Sequence, residues 1–286
     1  MDELRAAQAA RWRAADPLLP EPRQPDGEPL RVAGGAGWPR YTEVDPDTMG
    51  ATWGALRQHT LTAHVAGDEP ARSLGALLDL WSAQLGAPGD EDSAATVTWP
   101  SRDTAPVLAL SRRGFRTAVV IAAARTGRAP AVAVDGVEIR AVTADDAETA
   151  AELNLGIVRY DEQFGAIDER PSTRARLVEL FAGYARHDPP TAWLAVRDGR
   201  AVGLCAVTPP AQTTWISQLC AVGPAAYLAA MYVDPAERGS GIGAALHGQP
   251  QTRGRVLLRE RLAVGACDAR FRPRRVRPRR RRILRG

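Results

Sequence analysis

Apolar residues recur at helical spacing at Leu74, Leu77, Leu78, Trp81 and Leu85, so residues 71–85 are expected to form an amphipathic helix. Residues 94–99 read as a strand, residues 105–113 as a helix stopped by Gly114, and residues 117–124 as a further strand. The pattern lapses over residues 126–136, which carry Gly127, Pro130 and Gly136 and read as a linker. Residues 137–142 then alternate as a half-buried strand does. Thr143, followed by Ala144-Asp145-Asp146, is an N-cap before an acidic first turn, and the helix it starts is expected to reach about Tyr160. Residues 170–184 supply a second helix, with Leu177, Leu180, Phe181 and Tyr184 on its apolar side. Residues 192–196 and 201–207 are strands joined by Arg197-Asp198-Gly199-Arg200, a hairpin turn signal. Residues 209–223 follow no single period. Residues 227–233 are an apolar strand.

That last strand feeds the most informative stretch of the chain. Val233 is followed by the turn Asp234-Pro235, then by Arg238-Gly239-Ser240-Gly241-Ile242-Gly243-Ala244-Ala245-Leu246, whose end reads as a helix. The first amides of a helix lack internal partners and sit at the positive end of its dipole, so a strand entering a helix through glycines suits a phosphate group. Glycine lets the anion approach the backbone with no Cβ in the way. Residues 239–244 also satisfy Gly-x-Gly-x-x-Ala, a dinucleotide fingerprint. That fingerprint wants its first glycine directly after the strand and an acid ending a second strand about 20 residues on. Here Asp234 to Arg238 intervene, and the nearby acid, Glu260, lies in Leu-Leu-Arg-Glu-Arg.

The spacing resembles the Arg/Gln-x-x-Gly-x-Gly/Ala motif of the GNAT family of N-acetyltransferases, with Arg238, Gly241 and Gly243 in its three fixed positions. The order strand, helix, helix, three strands, glycine loop, helix over residues 137–248 also resembles the first two thirds of a GNAT domain. The resemblance implies an α/β fold with a mixed sheet flanked by helices, and transfer of an acetyl group from acetyl-CoA to an amine. It further implies that Gly239, Ser240, Gly241, Gly243 and Ala244, with Arg238, meet the pyrophosphate, while the backbone of Met231 and Val233 holds the pantetheine arm. A small-molecule or peptide amine is the implied acceptor, and no metal is called for. Residues 94–125, with Gly114-Phe115, resemble the closing half of a second such domain, but no phosphate loop precedes them. The expected organisation is a helix and Pro-rich connector at 1–29, a degenerate GNAT-like domain at 30–125, a linker at 126–136, an acyl-CoA-binding domain at 137–248 and an arginine-rich tail at 249–286.

The resemblance names no base. The strand 225–233 holds no acid. Tyr160, Asp161 and Glu162 end the first helix of the second domain, His187 lies in a loop, and Tyr232 is expected to pack in the core. The pattern also departs from the family beyond residue 248. Pro250 is expected to interrupt the helix, no tyrosine follows Tyr232, and the closing strands are expected to be missing.

Composition sharpens this departure. All 37 basic residues are arginine, and residues 251–286 hold 14 of them against Glu260 and Asp268 alone. The body thus carries 23 arginines against 31 acids, and the basic balance belongs to the tail. Two explanations stand for the tail: an arginine run that binds nucleic acid or an acidic surface, or a shifted reading frame in a GC-rich gene. Cys205, Cys220 and Cys267 are too few and too scattered for a disulfide framework or zinc site. Cys205 and Cys220 are expected to be buried thiols. With no apolar run near the ~20 residues of a membrane span and no signal-like start, a cytoplasmic location is expected.

Overall fold

The computed structural model describes residues 2–85, 92–124, 133–164, 167–221, 223–251 and 256–259. Two sheets flanked by helices make up the α/β fold. The first half runs α1 (Asp2–Ala15), β1 (Leu30–Val32), β2 (Gly35–Glu43), α2 (Met49–Thr52), β3 (Arg57–Val65), α3 (Pro70–Gln84), β4 (Ser93–Thr96) and α4 (Thr104–Arg112). Its four-stranded sheet has the order β1-β2-β3-β4, antiparallel except for the parallel pair β3 and β4. The helical spacing at residues 74–81 is explained by α3, which lays Leu74, Leu77, Leu78 and Trp81 on this sheet with Leu61, Val65, Trp99, Leu110 and Phe115. Cβ atoms at Gly35 and Gly37 would stand 3.2 and 3.3 Å from Leu77, so these glycines let α3 come down close on β2.

Buried polar groups tie α1 to this half. Gln8 spans the backbone of β3, donating to the Ala63 carbonyl at 3.2 Å and accepting from the Val65 amide at 2.7 Å. The Asp103 carboxylate accepts from Arg11, Trp12 and Trp99 together. Each is a buried group whose hydrogen-bonding capacity is met by a neighbouring element.

The second half runs β6 (Glu138–Ala141), α5 (Ala147–Glu162), α6 (Thr173–Tyr184), β7 (Ala192–Arg197), β8 (Arg200–Thr208), β9 (Ala225–Val233), α7 (Ile242–Gln251) and β10 (Val256–Arg259). Residues 209–223, which follow no period, form two short 3-10 turns at Pro210–Gln212 and Thr214–Gln218. The hairpin between β7 and β8 turns on Asp198 and Gly199, both at positive φ (50° and 73°), as a tight two-residue turn requires. On one face, α5 and α6 pack Leu155, Val158, Leu177 and Phe181 against Leu194, Leu204 and Ala230. On the other, α7 packs Ile242 and Leu246 against Trp193, Ala195, Val202 and Cys205.

The closing strands differ from expectation. Proline does not end α7 at residue 249, since Pro250 lies inside the last turn of the helix. The chain then supplies β10, parallel to β9, from within the segment read as tail. The strand expected over 117–124 shrinks to β5 (Ala122–Ala124), and it leaves the first sheet altogether. It pairs antiparallel with β10, giving a six-stranded sheet of order β5-β10-β9-β8-β7-β6. An exposed sheet edge is a liability that a paired strand removes, and here the first half provides that strand. Residues 260–286, with the arginine run and Cys267, lie outside the described residues.

The start of α5 carries the N-cap read from sequence. Thr143 and Asp146 form a reciprocal capping box, with the Asp146 carboxylate accepting from the Thr143 amide at 2.8 Å. Arg140 adds two bonds to the same carboxylate, at 2.6 and 2.7 Å. These bonds, that from Arg140 above all, hold the Asp146 carboxyl well below the usual carboxylate range. Asp146→Ala is expected to lower stability at neutral pH by about 1 kcal/mol, the usual worth of a cap. A depressed folded pKa gives stability that is present above the unfolded value of ~3.9 and lost as pH falls through the folded one. Denaturation midpoints of wild type and variant should therefore converge on acidification.

Candidate acyl-CoA site

The site begins where two parallel strands part. β9 pairs with β10 only through Ala225, Ala226 and Tyr227. From Leu228 to Val233 the edge of β9 away from β8 meets no strand among the described residues. Those same residues line a cleft of about 1500 Å³. A strand edge carries a row of N–H and C=O groups, so this wall offers a hydrogen-bonding ladder to an extended ligand.

A bulge sits in the middle of the wall. Ala230 pairs with Ala206 and Leu228 with Val207, leaving Ala229 as the extra residue on β9. Alternation therefore changes phase there. Ala226 and Leu228 face α7 before the bulge, and Met231 and Val233 face it afterwards. The shift leaves Ala230 and Tyr232 facing α5. Tyr232 comes so close to that helix that a Cβ on Gly156 would lie 2.6 Å from its ring. Tyr232 thus packs as expected and also lines the cleft, and Gly156 is a site residue that the sequence gave no reason to single out.

Beyond Val233 the chain makes the anticipated loop. Asp234 accepts from the Ala236 amide at 3.0 Å and starts a 3-10 turn at Pro235–Glu237. Arg238 bends back, its Nε donating to the Val233 carbonyl at 3.1 Å, and Ser240 Oγ donates to the Glu237 carbonyl at 2.6 Å. Gly239 and Gly241 have φ of +86° and +91°, values that L side chains rarely adopt. Gly243 is different. A Cβ there would meet only Val233, at 3.8 Å, so nothing in the chain itself demands glycine. Ile242, Gly243 and Ala244 form the first turn of α7, whose leading amides have no intrahelical acceptor.

Two carboxylates near this helix start would repel an anion, and both are engaged. Glu237 pairs with Arg197 and, at 3.6 Å, with Arg200, while Asp234 meets Arg200 at 2.8 Å. The Ala236 amide and then Arg200 hold the Asp234 carboxyl below its ordinary range. The arginines of the β7–β8 hairpin thus offset the acids that shape the turn. The corresponding place in the first half is unlike this. There α3 opens on Asp68 and Glu69, and Pro70 at its first position has no N–H to donate.

The remaining sequence candidates separate. Tyr160 and Asp161 line the cleft, as do Tyr227, Phe164 and Ile167. Glu162 and His187 are absent from its lining. His187 stands beside the Tyr184 ring, at 6.0 Å between centroids. Cys205 and Cys220 are buried, and desolvation pushes the Cys205 thiol up to about 12, which removes it as a nucleophile. Among the described residues no cluster of His, Cys, Asp or Glu is placed to hold a metal, and no helix is long and apolar enough to cross a membrane. The first half contributes Trp53, Ser101, Arg102 and residues 118–120 to the cleft wall. Sequence reading placed none of these in the site.

A strand edge that is open among the described residues, followed by a glycine turn into a helix, suits an extended phosphorylated ligand. The model of the acetyltransferase (GNAT) family matches residues 158–249. A GCN5-related N-acetyltransferase from Sphaerobacter thermophilus shares the fold, at 17% identity over 84% of this chain and 78% of that one, with a TM-score of 0.50. A GCN5-related N-acetyltransferase from Kribbella flavida is 13% identical over 93% of both chains, with a TM-score of 0.42. A possible acetyltransferase from Clostridium difficile 630 is 19% identical over 41% of this chain and 70% of that one, with a TM-score of 0.31. No curated protein matches the chain.

The close approach of Tyr232 to α5 gives a direct test of the packing beneath the cleft. Gly156→Ala is expected to cost about 1–3 kcal/mol, as overpacking does. In a Tyr232→Ala background the same substitution should cost less than about half of that, because the obstructing ring is gone. Chemical denaturation of the four proteins checks this, and additive costs would show that the two residues do not clash.

Proposed function

We propose that the chain transfers an acetyl group from acetyl-CoA to an amine, with the donor held along β9 and the start of α7. The observation that carries this reading is the edge of β9 at Leu228–Val233, open among the described residues, running directly into the glycine turn. Backbone groups of Met231 and Val233 would hold the pantetheine arm. The amides of Gly239, Ser240, Gly241, Gly243 and Ala244 would hold the pyrophosphate, with Arg238 beside them. Fit to the donor is supported by the chemistry of the turn. It offers a helix N-terminus, two left-handed glycines, acids already paired with arginine, and at Gly243 a backbone with no Cβ to obstruct an approaching anion.

Transfer requires the amine to lose a proton, the thioester carbonyl to be polarised as the tetrahedral intermediate forms, and the thiolate to leave. Backbone N–H groups of an interrupted ladder are suited to the second task, and the bulge at Ala229 lies midway along the wall. Groups in the cleft wall able to exchange a proton are Asp161 and the phenols of Tyr160, Tyr227 and Tyr232. The acceptor would enter from the side of α5, where Tyr160, Asp161 and Phe164 lie. A cytoplasmic enzyme acting on a small-molecule or peptide amine fits this arrangement.

Titration with acetyl-CoA and release of free CoA thiol over an amine panel test the proposal. Gly243→Val should leave the melting temperature within a few degrees of wild type. It should weaken acetyl-CoA binding about tenfold or more, the loss of roughly one charge-assisted hydrogen bond. Binding of S-acetylpantetheine, which lacks the pyrophosphate, should be unchanged. Absence of acetyl-CoA binding to the wild type, or indifference of its affinity to Gly243→Val, would overturn the reading. Binding without thiol release would instead mark a non-catalytic acyl-CoA binder.

A further inference from the structure

Three aromatic rings, Trp53, Tyr160 and Phe164, line the cleft, and they come from both halves of the chain. Tyr160 and Phe164 project from the end of α5 and its following turn, with 56% and 58% of their surface exposed, and meet edge to face at 5.5 Å. Trp53, 36% exposed, comes from the residue after α2. Large apolar side chains left in contact with solvent at a cleft are unusual unless something covers them. Ala118, Val119, Val120, Gly156 and Ile157 extend the same apolar wall.

Trp53 is held there across the boundary between the halves. Ala51, Thr52 and Gly54 beside it are bonded to the segment 168–173. The Arg170 Nε donates to the Ala51 carbonyl at 2.5 Å, and its Nη2 donates to the Gly54 carbonyl at 3.1 Å. The Thr52 hydroxyl meets the Thr173 hydroxyl at 2.9 Å, and the Asp168 amide donates to the Thr52 carbonyl at 3.3 Å. Arg170 also makes a two-pronged pair with Asp92, 2.9 Å on each prong, and the Asp92 carboxylate in turn accepts from the Leu56 amide at 3.0 Å. The planar guanidinium therefore braces both flanks of Trp53 at once.

We infer that Trp53, Tyr160 and Phe164 form the acceptor-specificity wall, that it selects an amine carrying a planar aromatic body, and that Arg170 is the positioning residue that sets Trp53 in it. The inference rests on the acyl-transfer reading for the identity of the amine. Aromatic faces and edges contribute beyond simple area burial when a ring packs against them. An alkyl amine of equal length would leave the three rings partly wet. In this arrangement the first half of the chain, whose own helix start is hostile to phosphate, supplies substrate selection to the second.

The test reads amine binding directly, so it does not depend on turnover. 2-Phenylethylamine and butylamine are titrated into the full chain by calorimetry, with acetyl-CoA binding measured in parallel. The aromatic amine should bind at least about tenfold more tightly, equivalent to one good ring contact. Trp53→Ala, Phe164→Ala and Arg170→Gln should each erase most of that preference while leaving the affinity for acetyl-CoA unchanged. Trp53→Phe should restore part of it, which a merely structural effect would not do. Equal affinities of the two amines, or a preference that survives both Trp53→Ala and Phe164→Ala, would overturn the inference. If the aromatic preference behaves as described but acetyl-CoA does not bind, the wall stands and the acyl-transfer reading falls. If acetyl-CoA binds and the preference is absent, the reverse holds.

Discussion

A strand inside a sheet must satisfy hydrogen-bonding groups along both edges, and β9 does so along only one for most of its length. Its pairing with β8 runs from Tyr227 to Val233, whereas among the described residues its pairing with β10 runs from Ala225 to Tyr227. The proposed site is built on that offset. The open edge at Leu228–Val233 becomes the wall of the cleft, the bulge at Ala229 resets which side chains face each helix, and the strand delivers the chain to the turn that starts α7. Pairing β9 fully with β10 would satisfy more backbone and would remove the site. The cost of the parting is offset by packing on both faces. Leu204 and Ala230 sit under α5 and α6, and Val202 and Cys205 under α7, all nearly inaccessible to solvent.

The two halves are joined by exchange rather than by simple contact. One half lends β5 to the edge of the other's sheet, and lends Trp53 and residues 118–120 to the other's cleft. In return Arg170 pins the segment from Ala51 to Gly54. This ion pair is only partly exposed, and Arg170 directs four hydrogen bonds at a carboxylate and two carbonyls. Such a node has more geometric than energetic value, since a buried pair gains little over well-packed apolar residues but is costly to break. Both halves contain an antiparallel pair of strands followed by a helix and a parallel strand.

How much of this the sequence revealed depends on the kind of signal each element carries. Local periodicity exposed α3, α5, α6 and the β7–β8 hairpin, because a single face of each is buried and the turn residues are distinctive. The glycine turn was legible for the same reason: Gly239 and Gly241 answer a backbone need that operates over a few residues. The longest pairing of the first half, β2 with β3, was not, since Gly35, Gly37 and Pro39 interrupt any strand pattern. They are there because α3 packs close above, a tertiary cause with no local trace. The same holds for the site. Trp53, Gly156 and residues 118–120 reach the cleft through partners far along the chain, Arg170 lying 119 residues from Ala51. The partner of β5 was hidden too, because three alanines in a row pair equally well with any strand.

The acids of the glycine turn show how such long-range causes shape even the legible part. Asp234 and Glu237 place two negative charges beside the start of α7. Asp234 is needed to cap the 3-10 turn that swings the chain from β9 into α7. Its charge would weaken the attraction of an anion at short range. Arg197 and Arg200, placed opposite by the hairpin, offset that field and leave the helix amides as the dominant attraction. The turn in the first half has Asp68 and Glu69 at the same place, where, among the described residues, Glu69 pairs with Arg72 on the helix itself. The two helix starts therefore differ in more than their glycines, because a neighbouring hairpin brings two arginines to the acids of one of them.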